Sequence, residues 1–268
     1  MNKYIDSNLG LWEKLTAVNV KSRMYDVEGF KQGKTALKEL ELAELGDVKG
    51  RSLLHLQCHF GLDTMSWARL GAEVTGVDFS PTAIKTARTL AEEINIKADF
   101  INCNLYDLPQ LLDRQFDIVY TSYGVLCWLP DLTEWGKLIA RYLKPGGTFY
   151  IVEMHPLLNI FNNETTEEKL EAKLSYFHSP EPTKWTSDCS YADGDKFEQQ
   201  PSYEWTHSLS DIVNALTSNG LRIEFLHEFP FCVYAHFPWL EKHSDGWFYM
   251  PKGMAQVPMT FSIKAVKG

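Results

Sequence analysis

The chain lacks any concentration of positive charge. Its 268 residues carry 26 Lys and Arg against 35 Asp and Glu, a net charge of −9. No basic run offsets that balance, which disfavours a nucleic-acid partner, because phosphate contacts need clustered Lys and Arg. Cysteine is scarce: Cys58, Cys103, Cys127, Cys189 and Cys232 are scattered, odd in number and without a CxxC pair. They read as free thiols in a reducing cytosol. No apolar run has the length of a membrane span, so a membrane partner is not expected. The stretch MNKYIDSNLGLW has no apolar signal-peptide core, and a cytoplasmic location is expected. Internal repeats and low-complexity segments are missing too. What remains fits one domain over 1–268, rich in aromatics and long enough for a respectable core.

Glycine is also missing where one fold would need it most. The stretch from Leu53 to Ser80, LLHLQCHFGLDTMSWARLGAEVTGVDFS, reads as strand, tight turn, helix, strand, acidic residue. Leu53 to Leu56 is the first strand. Leu62 to Leu70 has helical spacing, with Leu62, Met65, Trp67 or Ala68 and Leu70 on one side, and Gly71 ends it. Val74 to Val77 is the second strand, ending at Asp78. Two strands joined by a helix must run parallel with a right-handed crossover, which brings the Gly61 turn and Asp78 to one sheet edge. A pyrophosphate pressed on that turn would need several glycines; only Gly61 is present, and bulky Gln57 and His59 hold other positions. Asp78 is still suited to gripping both ribose hydroxyls. A ribose without a pyrophosphate points to an adenosine-type ligand such as S-adenosylmethionine.

Four stretches in this order, LLHLQCHFG, EVTGVDFSPTAI, FDIVYTSYGVLCWLPDL and YLKPGGTFYIVE, resemble the class I S-adenosylmethionine-dependent methyltransferases over about Leu53 to His155. The chain looks most similar to a small-molecule methyltransferase-like subgroup with LHLQCHFG as first motif. His55 stands where the family has an acid, and Gln57 and His59 where it has glycines. The resemblance implies an α/β fold: a Rossmann-like, doubly wound, seven-stranded mixed sheet with the last strand antiparallel and a cap insertion. It implies S-adenosylmethionine as cofactor, S-adenosylhomocysteine as product, and a cofactor site drawn from His55, Gln57, Cys58, His59, Gly61, Asp78, Phe79, Asn104, Leu105 and Thr121. It also lays residues 1–50 over the cofactor edge, so that Tyr25 and Phe30 touch bound methionine or acceptor; the alternative is that both simply pack helices onto the sheet.

Outside the central stretch the chain reads as follows. Leu11, Trp12, Leu15 and Val18 fall at helical spacing, SRMYDVEGF is a loop, and Thr35 to Leu45 is a helix closed by Gly46. Ser80-Pro81 starts a helix running to about Ile94. Asp99 to Asn104 is a third strand; the resemblance implies that Asn104 at its end accepts a hydrogen bond from the adenine amino group, with Leu105 and Tyr106 then flanking the ring, and the alternative is a turn-forming Asn. Phe116 to Thr121 is a strand buried on both faces, whose exit lies by the topological switch point. Asp131 to Leu143 is helical, and Thr148 to Met154 a fifth strand delivering His155. Residues 156–205 break the alternation, with an acidic patch (Glu164, Glu167, Glu168) and an aromatic run, and are expected as a lid. Leu209 to Ser218 is a helix, Leu221 to Phe229 a sixth strand, 230–258 an aromatic excursion and Thr260 to Val266 the last strand.

Methyl transfer from a sulfonium needs alignment and exclusion of water more than a catalytic motif. His155 is the first candidate base, against a histidine bonded to cap backbone. Tyr123 is the next, beside the sulfonium or orienting the acceptor. Trp128 reads as site or plain core, and His207 as a cap-facing or loop histidine. Trp185, Trp239 and Trp247 line an acceptor pocket or pack the cap. A zinc site from His55, Cys58 and His59 is disfavoured because alternation points His55 and Cys58 apart. A Cys58–His59 nucleophile fails for want of geometry and an orienting group. The expected function is methyl transfer to a small, aromatic or apolar acceptor. A non-catalytic ligand-binding or regulatory protein on the same fold is the alternative, and a nicotinamide-dependent oxidoreductase is a third reading, weakened by the missing glycines.

Overall fold

Side-chain oxygens decide where many of the elements begin. The structure is a computed structural model that describes residues 3–161, 163 and 165–268; Glu164, one of the acidic residues expected in the lid, lies outside the described residues. Helix α1 (Lys3–Asn19) buries Ile5, Asn8, Leu11 and Leu15 on one face. The expected loop after it holds a short helix, α2 (Val27–Lys31), because the Asp26 carboxylate accepts from Gly29 N and caps it. Helix α3 (Glu39–Leu45) starts four residues later than its periodicity suggests. Ala36 N donates to Ser66 Oγ and Leu37 N to Thr35 Oγ1, and these side-chain bonds hold the backbone out of the helix.

The alternation then runs β1 (Ser52–Leu56), α4 (Leu62–Arg69), β2 (Glu73–Asp78), α5 (Pro81–Glu93), β3 (Asp99–Asn102), β4 (Phe116–Ser122), α6 (Leu132–Tyr142) and β5 (Leu143–Met154). Ser80 accepts from Ala83 N and Pro81 takes the first helical position, so α5 begins where expected. Leu70 does not join the buried side of α4: it sits past the helix end and is 48% exposed. Strand β3 stops two residues short of Asn104, whose side chain turns the chain into a 3-10 segment, Leu105–Gln110. After β5 come the hairpin β6 (Thr183–Cys189) and β7 (Lys196–Glu204), then α7 (Leu209–Thr217) and β8 (Leu221–Phe229). Three short strands follow, β9 (Phe231–Cys232), β10 (Glu241–Lys242) and β11 (Phe248–Tyr249), and the chain closes with β12 (Thr260–Lys267).

Seven strands form one sheet in the order β3-β2-β1-β4-β5-β12-β8. β1 to β5 pair in parallel, and β12 runs antiparallel to both neighbours. Alternate residues feed opposite faces: Leu54, Leu56, Val119, Phe149 and Ile151 meet α6 and α7, while Leu53, Ile118, Tyr120, Tyr150 and Val152 meet the α3 and α4 side. Strand order reverses at β1 and β4, so the carboxyl ends of these two strands open the crevice where such sheets bind ligands.

Two additions stand over that crevice. The expected lid is the β6–β7 hairpin, and α1 lies along the free edge of β7. Asn8 Nδ2 donates to Tyr203 O at 2.7 Å and Asn8 Oδ1 accepts from Tyr203 N at 2.7 Å, so one side chain pairs both backbone groups of an edge residue. The 230–258 excursion pairs its short strands as β10-β11-β9 over a cluster of Leu158, Cys232, Phe237, Leu240, Met250 and Met259. Among the described residues no helix is long and apolar enough to cross a membrane.

Candidate cofactor and acceptor cavity

The turn after β1 is held open by left-handed backbone. Gln57, His59 and Gly61 have φ of 56°, 51° and 79°. Such geometry is natural for Gly61 and costs ~1–2 kcal/mol at each of the other two. No side chain fits at Gly61: a Cβ there would lie 2.6 Å from the Phe100 ring and 3.1 Å from Ala87 Cβ. Gln57 and His59 turn their side chains off the loop instead. Gln57 Nε2 donates to Val125 O at 3.0 Å, and His59 Nε2 lies 3.4 Å from Asn19 Nδ2 of α1. The expected meeting of turn and second-strand acid is direct: Asp78 Oδ2 accepts from His59 N at 2.8 Å. Asp78 Oδ1 accepts from Ser80 N at 2.9 Å. Burial raises the Asp78 carboxyl to about 6 against these stabilising bonds. Each oxygen keeps a lone pair for a further donor.

A cavity of about 1380 Å³ opens from this turn, above the ~300–1,000 Å³ of a pocket for one drug-sized ligand. Of the sequence-derived cofactor residues, His55, Gln57, Cys58, His59, Gly61, Asp78, Phe79, Asn104, Leu105 and Tyr25 line it. Asn104 has its turn role, Oδ1 accepting from Tyr106 N at 3.0 Å, while also facing the cavity. Thr121 is the exception: it is fully buried, does not reach the cavity, and donates to Leu56 O. His55 is bonded to Thr64 Oγ1 at 2.7 Å through Nδ1, and burial lowers it to about 3, so it is neutral. His59 is lowered to about 3 by the same cause.

An aromatic roof covers this end. The His59 ring meets Trp12 edge-on at 5.2 Å and Tyr25 at 5.6 Å. The Tyr25 hydroxyl bonds that of Tyr191, which also accepts from Asn19 Nδ2 at 3.1 Å. Asn19 Oδ1 accepts from Ser190 Oγ at 2.6 Å, tying α1 to the hairpin a second time. Phe30 also borders the cavity but serves the packing alternative as well: it is 2% exposed, packs with Phe60 and Met65, and carries the Arg69 guanidinium on its ring.

The other end is built by the segment after β4. Tyr123 has φ of 33°, lines the cavity, and has a buried hydroxyl without a partner among the described residues. Glu153 at the end of β5 collects four backbone amides: Gly124, Val125 at 2.7 Å, Leu126 at 3.1 Å and its neighbour Met154 at 2.6 Å. One carboxylate thus fixes the whole 124–126 turn. The sequence put Glu153 at the end of a quoted motif without a role; a lone acid closing a buried apolar strand was the signal. Asp63, on the first turn of α4, accepts from Ser122 Oγ at 3.0 Å and lines the cavity, and was also missed.

His155 turns away from the cavity. Its Nε2 meets Glu228 of β8 at 2.8 Å and its Nδ1 accepts from Leu157 N at 3.1 Å, the backbone-bonded alternative weighed for it. His207 reaches both backbone and cavity: its Nε2 lies 2.7 Å from Leu129 O. Trp128 and Trp185 line the cavity, Trp239 stacks on Phe237 at 4.7 Å, and Trp247 is buried 6.3 Å from the Tyr123 ring. Among the described residues no three His, Cys, Asp or Glu side chains converge to hold a metal.

Residues 54–151 match the methyltransferase-domain family. A ubiquinone biosynthesis O-methyltransferase of Xanthomonas oryzae pv. oryzae is 33% identical over 133 residues, covering 48% of this chain and 55% of that protein. The chain therefore spans about half the length of the curated relatives it matches. An S-adenosylmethionine-dependent methyltransferase structure from Mesorhizobium loti superposes with a TM-score of 0.55 at 17% identity, covering 84% of this chain and 94% of that one. The glycopeptide N-methyltransferase MtfA complexed with S-adenosylmethionine gives 0.55 at 16% identity, with 87% and 88% covered. At such identities the likeness is one of fold.

Proposed function

Because residues 54–151 carry a class I methyltransferase domain, we propose that the protein binds S-adenosylmethionine over the 57–61 turn. It transfers the methyl group to a small-molecule acceptor beneath the roof, leaving S-adenosylhomocysteine. The observation that carries this reading is the Asp78 carboxylate, joined to His59 N at the strand-order switch and keeping acceptor capacity toward the cavity. The residues fit an adenosine ligand. Asp78 supplies acceptors for two ribose hydroxyls, Phe79 and Leu105 supply apolar surface beside Asn104, and the cavity has volume left for a second molecule. The side chains of Gln57 and His59 leave the loop, so their bulk does not fill the adenosine position.

The bound sulfonium supplies a methyl group already activated for in-line displacement. The chain's own part is to position and to exclude water. Trp12, Tyr25, His59 and Tyr191 close over the cofactor end, and the hairpin closes the far end. Residues 1–50 serve as cofactor cover, 156–205 as cap and 230–258 as the side wall within one domain over 1–268. The Trp128 and Trp185 lining favours an aromatic or otherwise apolar acceptor. His155 takes no part in proton transfer, since it does not face the cavity.

Calorimetric titration with S-adenosylmethionine and, separately, S-adenosylhomocysteine tests this. Saturable micromolar binding of both is expected. Binding of neither would replace the reading by a non-catalytic ligand-binding protein on the same fold.

A further inference from the structure

Glu204 ends β7 with its carboxylate in the cavity, and among the described residues it has no hydrogen-bond or ion-pair partner. Direct cross-strand pairing sets it beside Thr183, as it sets Trp185 beside Ser202, so the inner face of the hairpin presents Trp185 and Glu204 together. Trp205 N donates to Cys127 O at 2.8 Å, which docks this end of the hairpin on the segment after β4, next to Trp128. Tyr234 of the excursion faces the same space. The carboxylate is only partly exposed, and a cationic ligand entering the cavity would meet it unpaired.

We propose that Glu204 is a specificity-determining residue: it selects an acceptor that carries a protonated amine, held against the carboxylate within the faces of Trp128, Trp185 and Tyr234. This rests on the methyltransferase reading for the word acceptor, though the charge preference itself does not. Aromatic faces with a carboxylate are the standard recognition surface for an ammonium group. The cations that line the cavity are Arg23, Lys34, Lys38 and Lys242, and among the described residues none is paired with Glu204: Arg23 meets Asp193 and Lys34 meets Asp26. Cys127 from the segment after β4 and Tyr234 from the excursion are neutral, their pKa values raised by burial and by neighbouring carboxylates that include Glu204. His207 at the hairpin exit and His236 are both lowered to about 4 by burial and are uncharged at neutral pH. Glu153 is the other carboxylate here, already bonded to four amides. Lys242, which also borders the cavity, is exposed and lies over the Phe248 ring. Burial raises the Glu204 carboxyl of the empty cavity to about 7, so its ionised form, which the ammonium requires, gains population between pH 6 and pH 8.

The test compares three probes of one shape: 2-phenylethylamine, 2-phenylethanol and phenylacetate. Each is titrated into the full chain, with and without S-adenosylhomocysteine, following tryptophan fluorescence. The amine is expected to bind at least tenfold more tightly than the alcohol, and phenylacetate least. Glu204→Gln should remove the amine preference, leave the alcohol unchanged and leave the affinity for S-adenosylhomocysteine unchanged. Amine affinity of the native protein should rise severalfold from pH 6 to pH 8, and that rise should vanish in the variant. An amine that fails to bind, or binds no better than the alcohol, overturns the proposal. So does a preference that survives in Glu204→Gln. Failure of S-adenosylhomocysteine to bind would overturn the methyltransferase reading separately, because the charge preference is also read without it.

Discussion

Glu41 offers a test of the buried electrostatics that does not depend on any ligand. It lies on the first turn of α3 with no exposed surface; Oε2 accepts from Lys38 N at 3.2 Å, and Oε1 has no partner among the described residues. Burial, with the Asp63 charge adding to it, raises the carboxyl from 4.5 to about 8. The unfolded chain thus releases this proton before the folded one does. A carboxyl raised on folding costs nothing below its unfolded value, and the folded state loses stability as pH rises from 4.5 toward 8. Linkage gives a loss of ~2 kcal/mol by pH 6 and ~4 kcal/mol by pH 8, levelling just above. Glu41→Gln is nearly isosteric and cannot ionise, so it should remove that slope. Urea unfolding of both proteins at pH 5, 6, 7, 8 and 9 measures it. The stability difference between variant and native protein should grow by ~4 kcal/mol across the series. A constant offset would reflect only the amide's own unpaired group, so the slope is diagnostic. Parallel curves from pH 5 to 9 would refute the reasoning, meaning that Glu41 ionises as it does in the unfolded chain.

Asp78→Ala should weaken S-adenosylhomocysteine binding by ~1.5–3 kcal/mol in calorimetry, through loss of charged hydrogen bonds to ribose; unchanged affinity would remove Asp78 from the ribose site. Gly61→Ala should lower stability by ~2 kcal/mol or more, since it adds a methyl against Phe100 to a left-handed residue; a melting temperature equal to the native protein's would mean the turn relaxes freely. His155→Gln should leave kcat within about twofold at every pH, because the ring does not face the cavity; a shifted pH–rate profile would restore it as a base. Asn8→Ala should speed proteolysis within 183–204 by uncovering the β7 edge; an unchanged digestion rate would show the hairpin is held elsewhere.

The sheet was legible because its strands are local patterns. LLHL, FDIVYT and FYIVE are buried on both faces and read as continuous apolar runs, and Gly71 and Ser80-Pro81 punctuate them. The turn–acid meeting was legible because parallel pairing forces it. The roof was harder. Asn8, Asn19 and Tyr191 have no periodic signature, and each acquires its role from a residue far along the chain. His155 was misplaced for a related reason: ending a strand at the ligand edge does not say which way a side chain turns, and Glu228 of β8 drew it away. The start of α3 was missed because Ser66, thirty residues on, competes for the backbone.

The Asn8–Tyr203 pair has a kinetic consequence. Its two partners are 195 residues apart in sequence, and Asn19 and Ser190 are 171 apart. Closing such a loop carries an entropic cost that local contacts in the sheet do not, so docking of α1 falls late in folding. During synthesis α1 waits for its hairpin, and the enclosed chamber is completed only after residue 248, which also lines it, has emerged.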